Sequence, residues 1–265
     1  MAAGQTSNVM ENILDKLGIE LNAETRLTSE SKFSFNCHSG LSCFNNCCSN
    51  LDIVLTPYDI LRMKKRLGLT SAEFISEYTE PVIQKESKLP FLKLKLGEEG
   101  KCRFVAAEGC TVYGDRPAAC RYYPLGFGIY KNEEAGDDFY FLIKEEHCKG
   151  FGEEREWTVS EWRKNQGIDE YDDKNRVWME VILNKKLYSP ELEPDEKSLK
   201  MFFMASYDLD AFREFVFESR FLDVFDIEEE RLEIIKNDDS ELMLFAHQWL
   251  LYALFRKPTM NLKQA

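Results

Sequence analysis

The chain has 265 residues, 44% of them hydrophobic and 13% aromatic, with a formal net charge of −13. Such a length buries a substantial core without needing metal or disulfides, and this composition excludes a disordered chain. The acidity leaves no electrostatic footprint for gripping nucleic-acid phosphates and is repelled by an anionic membrane surface.

The charge is uneven. Residues 1–150 carry 18 Lys/Arg against 21 Asp/Glu (−3) and residues 151–265 carry 16 against 26 (−10). The N-terminus, MAAGQTSNVMENILDKLGIEL, lacks the continuous apolar core of a secretory signal. No run approaches the roughly 18 apolar residues that span a bilayer. The expectation is a soluble, cytoplasmic protein, with neither nucleic acid nor membrane as partner.

Along the chain, Val9, Ile13, Leu14 and Leu17 mark a short amphipathic stretch. A Ser-, Asn- and Gly-rich loop follows with Cys37, Cys43, Cys47 and Cys48. Thr56 as cap, Pro57 in the first turn and Asp59 at the positive end of the dipole predict a helix that Gly68 closes. Thr70-Ser71-Ala72-Glu73 is a capping box that opens a second helix. Its pairing with the first has a helix–turn–helix look. Lys64, Lys65 and Arg66 are one small basic cluster in an acidic protein, however, so the pair reads as packing and not as a DNA reader.

The middle of the chain is β in character. Leu92, Leu94 and Leu96 alternate with lysines, and Gly97–Gly100 turns into a strand over Lys101–Val105. A second hairpin is expected to join Phe127–Tyr130 to Phe139–Ile143. Cys102, Cys110, Cys120 and Cys148 interleave with these strands. Beyond residue 150 the pattern is helical. Thr158–Glu161 is a capping box with Trp157 and Trp162 as its staple, and Gly167 ends that helix. Apolar residues recur at helical spacing at Val177, Trp178, Val181 and Ile182, then at Leu209, Phe212, Phe215 and Val216. They recur again at Leu242, Phe245, Trp249, Leu250 and Leu254.

All eight cysteines lie between Cys37 and Cys148. In a reducing compartment clustered thiols are more often metal ligands than disulfides, and the vicinal Cys47-Cys48 pair is awkward to bridge. Soft thiolate sulfur selects zinc, copper(I) or iron–sulfur clusters. Eight ligands suffice for two four-coordinate sites. Neither the Cys-x2-Cys knuckles of zinc ribbons nor the Cys-x2-Cys-x2-Cys run of bacterial ferredoxins is present. The vicinal pair and the missing knuckles favour an iron–sulfur cluster over zinc. Arg103, Arg116, Arg121 and Lys149 sit close to cysteines in sequence and could offset thiolate charge. His38 and His147 adjoin Cys37 and Cys148 as substitute ligands, whereas His247 reads as a satisfied core or surface histidine. No phosphate-binding glycine loop, zinc-protease helix or nucleophile elbow appears, so no reaction is assigned.

The front cluster, LTPYDILRMKKRLG, KCRF, GCTVYGDRPAACRYYPLG and EEHCKG together resemble the YkgJ-type cysteine-cluster proteins, zinc- or iron-chelating domains, over roughly residues 33–152. The resemblance implies that the family's eight cysteines correspond to Cys37, Cys43, Cys47, Cys48, Cys102, Cys110, Cys120 and Cys148. The family usually opens with Cys-x2-Cys, and here Cys37-x5-Cys43 departs from that. Flagellin lysine-N-methylases among its members imply two further options, a role linked to S-adenosylmethionine or a redox role. The fold expectation is α+β: a cysteine-rich metal-binding domain over residues 1–152 with small antiparallel hairpins, and a helical, acidic C-terminal region over 153–265 packed on it. The functional expectation is a metal-binding protein, holding an iron–sulfur cluster or zinc, in electron transfer or in support of a modification reaction. The alternatives are a protein-lysine N-methyltransferase-like enzyme and a structural zinc module that presents its helices to a protein partner.

Overall fold

The computed structural model of the protein describes residues 25–85, 87–128, 139–188 and 193–264. The expected amphipathic stretch at residues 9–17 and the link of the second hairpin lie outside the described residues. In chain order the strands are β1 (Lys32–Ser34), β2 (Val54–Leu55), β3 (Thr79–Ile83), β4 (Pro90–Leu94), β5 (Val105–Ala106), β6 (Gly109–Cys110), β7 (Leu125–Gly128), β8 (Phe139–Leu142) and β9 (Glu156–Thr158). The helices are α1 (Pro57–Leu67), α2 (Ser71–Tyr78), α3 (Ala118–Tyr122), α4 (Val159–Gln166), α5 (Ile168–Tyr188), α6 (Glu196–Tyr207), α7 (Leu209–Glu218), α8 (Phe221–Val224), α9 (Glu229–Asn237) and α10 (Asp239–Phe255). Small sheets of two or three strands beside many helices make the protein α+β. No helix among the described residues is long and apolar enough to cross a membrane.

The chain divides into two compact units. The first holds residues 1–47, 107–109 and 119–168, and the second holds 48–106, 110–118 and 169–265. In the first unit β1 pairs antiparallel with β9, Phe33 opposite Trp157. β7 pairs antiparallel with β8, Gly126 opposite Phe141 and Gly128 opposite Phe139. The expected strand over Phe127–Tyr130 thus begins earlier, at Leu125. Gly126 and Gly128 carry no side chain, and the Phe141 and Phe139 rings lie over the space a Cβ would fill. Phe33, Phe35, Leu125, Tyr140, Trp157, Val159, Trp162 and Ile168 form the core of this unit. The indole N–H of Trp157 donates to Phe35 O at 2.8 Å and that of Trp162 to Tyr122 O at 3.2 Å, so both rings are buried without an orphaned donor.

α4 is bounded as its sequence dictates. Thr158 Oγ1 accepts from Glu161 N–H at 3.1 Å, and the Glu161 carboxylate accepts from Thr158 N–H at 2.8 Å. Gly167, at φ 66°, closes the helix in the left-handed conformation that glycine adopts without strain. The Trp157 and Trp162 rings meet edge to face at 5.3 Å.

The second unit is built on the sheet β2-β4-β3, with Leu55 opposite Leu92 and Thr79 opposite Leu94. The expected strand over Lys101–Val105 is replaced by isolated bridges, Ser49 to Lys101 and Leu96 to Cys102, before β5. α1 and α2 are both opened by capping boxes, at Thr56 with Asp59 and at Thr70 with Glu73. Asp59 is 1% exposed; its carboxylate caps α1 and also accepts from Ala118 N–H at 2.8 Å. Buried Lys64 is matched to Asp210 at 3.0 Å and to Ser71 at 2.9 Å, so this member of the basic cluster serves packing. The C-terminal helical stripes reach the core as expected: Trp178, Val181, Phe212, Phe245 and Trp249 are all buried. Each such side chain contributes on the order of 1.5–3 kcal/mol by leaving water.

Candidate metal centre

None of the eight cysteines is in a disulfide. The first unit holds Cys37, Cys43, Cys47, Cys120 and Cys148, and the second holds Cys48, Cys102 and Cys110, so the boundary passes through the vicinal pair.

In the first unit backbone ties bring distant thiols together. Beyond β1, Phe35 N–H donates to Arg155 O at 2.9 Å and Asn36 N–H to Gly150 O at 3.0 Å, with Phe35 buried against Tyr123, Phe151 and Trp162. A Cβ on Gly150 would stand 2.7 Å from the Phe35 ring, so glycine allows the approach. Cys37 follows directly and reaches the neighbourhood of Cys148. The intervening loop folds through successive turns, Leu41 N–H to His38 O, Phe44 N–H to Leu41 O and Asn46 N–H to Cys43 O, at 2.9–3.1 Å. Lys149 N–H donates to Cys43 Sγ at 3.2 Å. Cys37 is exposed as a residue, yet protein packed around its sulfur, followed by Cys47, Cys148 and Cys43, pushes its thiol up to about 11. Four sulfurs therefore share one electrostatic neighbourhood. The buried Tyr123 hydroxyl has no hydrogen-bond partner of normal geometry; burial first and the adjacent Cys148 sulfur second keep it protonated. Cys120 lies half-buried on α3.

In the second unit Cys102 N–H donates to Cys48 O at 2.7 Å and Asn50 N–H to Gly100 O at 2.7 Å, which binds residues 48–50 to 100–102. Burial raises the Cys102 thiol, while backbone N–H groups of Phe104 and Val105 work against the rise and Cys110 adds to it. Burial likewise raises Cys110, opposed by Val112 N–H and by Arg116. Amide donors aimed at sulfur favour the thiolate that binds metal.

The charged neighbours divide. Arg116 lies in the field of Cys110, while its guanidinium donates to Tyr113 O at 2.6 Å and covers the Tyr113 ring. Arg103 donates to Glu77 O at 2.6 Å and Arg121 to Gln166 O at 2.7 Å, both bonds to helical carbonyls. Lys149 serves through its backbone. His38 meets Glu153 at 3.2 Å through Nε2 and accepts from Gly40 N–H at 3.2 Å through Nδ1. His147 meets Glu145 at 3.5 Å. His247 is core but not satisfied: it is 0% exposed and neither ring nitrogen has a partner.

Among the described residues no three His, Cys, Asp or Glu side chains stand at metal-holding geometry. The thiols are gathered into neighbourhoods with amide donors, but they are not closed around a point. The amide donors and Tyr123 escaped the reading of the sequence. Backbone N–H groups carry no residue signature, and Tyr123 gives only its place beside Pro124.

Residues 36–149 match the family model CxxCxxCC, described as "Putative zinc- or iron-chelating domain", and this span contains all eight cysteines. No curated protein and no solved structure matches the chain.

Proposed function

We propose that this protein binds an iron–sulfur cluster through cysteine thiolates and serves in electron transfer. The observation that carries the metal reading is the gathering of Cys37, Cys43, Cys47 and Cys148 in one neighbourhood, with an amide N–H already bonded to Cys43 Sγ. These four are the proposed ligands in the first unit, with Cys120 as its fifth thiol; Cys48, Cys102 and Cys110 are the proposed ligands in the second. The donor set fits a soft metal: no cysteine is tied up in a disulfide, and amides of Lys149, Phe104, Val105 and Val112 can offset thiolate charge. The absence of Cys-x2-Cys knuckles supports a cluster over zinc. Such a cluster supplies one-electron transfer when bound, and the chain's own part is to hold the sulfurs as thiolates and donate hydrogen bonds to them.

Anaerobic purification with metal and sulfide analysis and an absorption spectrum tests this. Iron with matching acid-labile sulfide and a visible band that bleaches on reduction is expected. Colourless protein with stoichiometric zinc would overturn the cluster but keep thiolate metal binding. Metal-free protein with oxidised cysteines would overturn both.

A further inference from the structure

A cavity of about 520 Å³ lies within the second unit, lined by α1 (Tyr58, Leu61, Arg62, Lys65 and Arg66), by Asp115 and by residues 237–240 at the α9–α10 junction. None of the cysteines lines it. Its volume is that of a small-molecule site. Tyr58 and Leu61 are each 3% exposed and give it an apolar floor.

The charged lining is uncommitted on one side only. Every carboxylate is held by a donor of the protein. Asp115 takes Arg62 Nη2 at 2.7 Å, and Asp238 caps α10, accepting from Ser240 N–H at 2.8 Å and Glu241 N–H at 3.1 Å. Asp239 pairs with Arg213. Arg62 is fixed in turn by Asp115, by the Tyr58 hydroxyl at 3.2 Å and by Glu170 at 3.1 Å. Lys65 and Arg66 are exposed, and among the described residues neither has an ion-pair or hydrogen-bond partner for its side chain. The position of these two in the last turn of α1 complements the helix dipole, but that dipole does not account for a cavity beside them. The three cations and three carboxylates cancel in net charge, so any selection arises from free donors at short range and not from a long-range field.

We propose that this cavity binds a small organic anion, a phosphomonoester or a polycarboxylate, with its carbon skeleton on Tyr58 and Leu61 and its acid group on Lys65 and Arg66. The acid group gains charge-assisted hydrogen bonds, strongest where arginine meets an oxyanion in bidentate fashion. Inorganic phosphate engages the cations but leaves the apolar floor empty.

Calorimetric titration of the full chain with glucose 6-phosphate, citrate and inorganic phosphate tests this. At least one organic anion should bind saturably and about tenfold tighter than inorganic phosphate. The double variant Lys65→Gln, Arg66→Gln, at two exposed positions, should weaken that binding about tenfold or more while lowering the thermal melting temperature by no more than a few degrees, the loss of two charges that complement the helix dipole. The proposal is overturned by absence of saturable binding for both organic anions. Binding of phosphate as tight as that of the organic anions, or binding untouched in the double variant, overturns it as well. Because the cavity contains no cysteine, the same titration on cysteine-to-serine protein should give the same result, which separates this proposal from the metal reading.

Discussion

At the scale of single residues, position and partnership decide what a titratable group does. His247 illustrates this. Its spacing among Leu242, Phe245, Trp249 and Leu250 places it on an apolar helix, and that much was legible, whereas core against surface was not. Whether its nitrogens find partners depends on which side chains other helices bring, which spacing along one helix does not encode. Both nitrogens are orphaned, and burial lowers the imidazole pKa from the ordinary 6.5 to about 3. The folded pKa lies below the unfolded one, so the unfolded chain takes up a proton first as pH falls. Stability linked to His247 is therefore fully present above pH 6.5 and is lost progressively between pH 6.5 and about 3. The slope approaches about 1.4 kcal/mol per pH unit, so the drop from pH 6.5 to 5 is on the order of 2 kcal/mol. Urea unfolding at pH 7 and pH 5 measures it. His247→Leu should lose about 2 kcal/mol less than the parent between the two pH values, and an equal loss in both proteins would refute the assignment.

At the scale of elements, the sequence was most legible where local chemistry sets a boundary. The cap at Thr56, the capping boxes at Thr70 and Thr158 and the closing glycines Gly68 and Gly167 all stand where the pattern put them. These signals are complete within a few residues, so distant packing does not rewrite them. Strand limits were less legible. Glycine is a poor strand former by propensity, so Leu125-Gly126 does not read as strand, yet Phe141 and Phe139 cover both glycines from the paired strand and make the ladder profitable there. A Cβ on Gly126 would lie 2.2 Å from Phe141 ring carbons, and that ring is itself buried. Gly126→Ala should therefore destabilise by about 1–3 kcal/mol through overpacking. Gly152→Ala, where a Cβ meets nothing within 4 Å, should stay within about 0.5 kcal/mol of the parent. Chemical denaturation of the two variants side by side checks the contrast. Equal effects would mean that the β7–β8 pairing yields more readily than its geometry implies.

At the scale of the whole molecule, the sequence identified the eight thiols but not their grouping. Front and rear cysteines mix, because Cys148 joins Cys37 and Cys43 through ties such as Asn36 to Gly150, while Cys48 joins Cys102 across the turn at Gly100. These associations are fixed by long-range backbone pairing, which no spacing rule reaches. The two units also differ in what holds them. The second is braced by stacked helices with aromatic rings in series, Phe91, Trp178 and Phe202 in one run and Phe212, Phe221 and Trp249 in another. Among the described residues the first relies on two short two-stranded sheets and a cluster around Trp157 and Trp162. Two-stranded pairings are marginal on their own, and a bound metal stabilises whatever state presents its ligands. Removing metal should therefore loosen the first unit well before the second. Hydrogen exchange on loaded and chelator-treated protein should show protection falling at least about tenfold in β1, β9 and α4. Protection in α6, α7 and α10 should be retained. Uniform loss across both units would mean that the chain unfolds as one cooperative body, and unchanged protection in β1 and β9 would mean that the thiols of the first unit do not hold the metal.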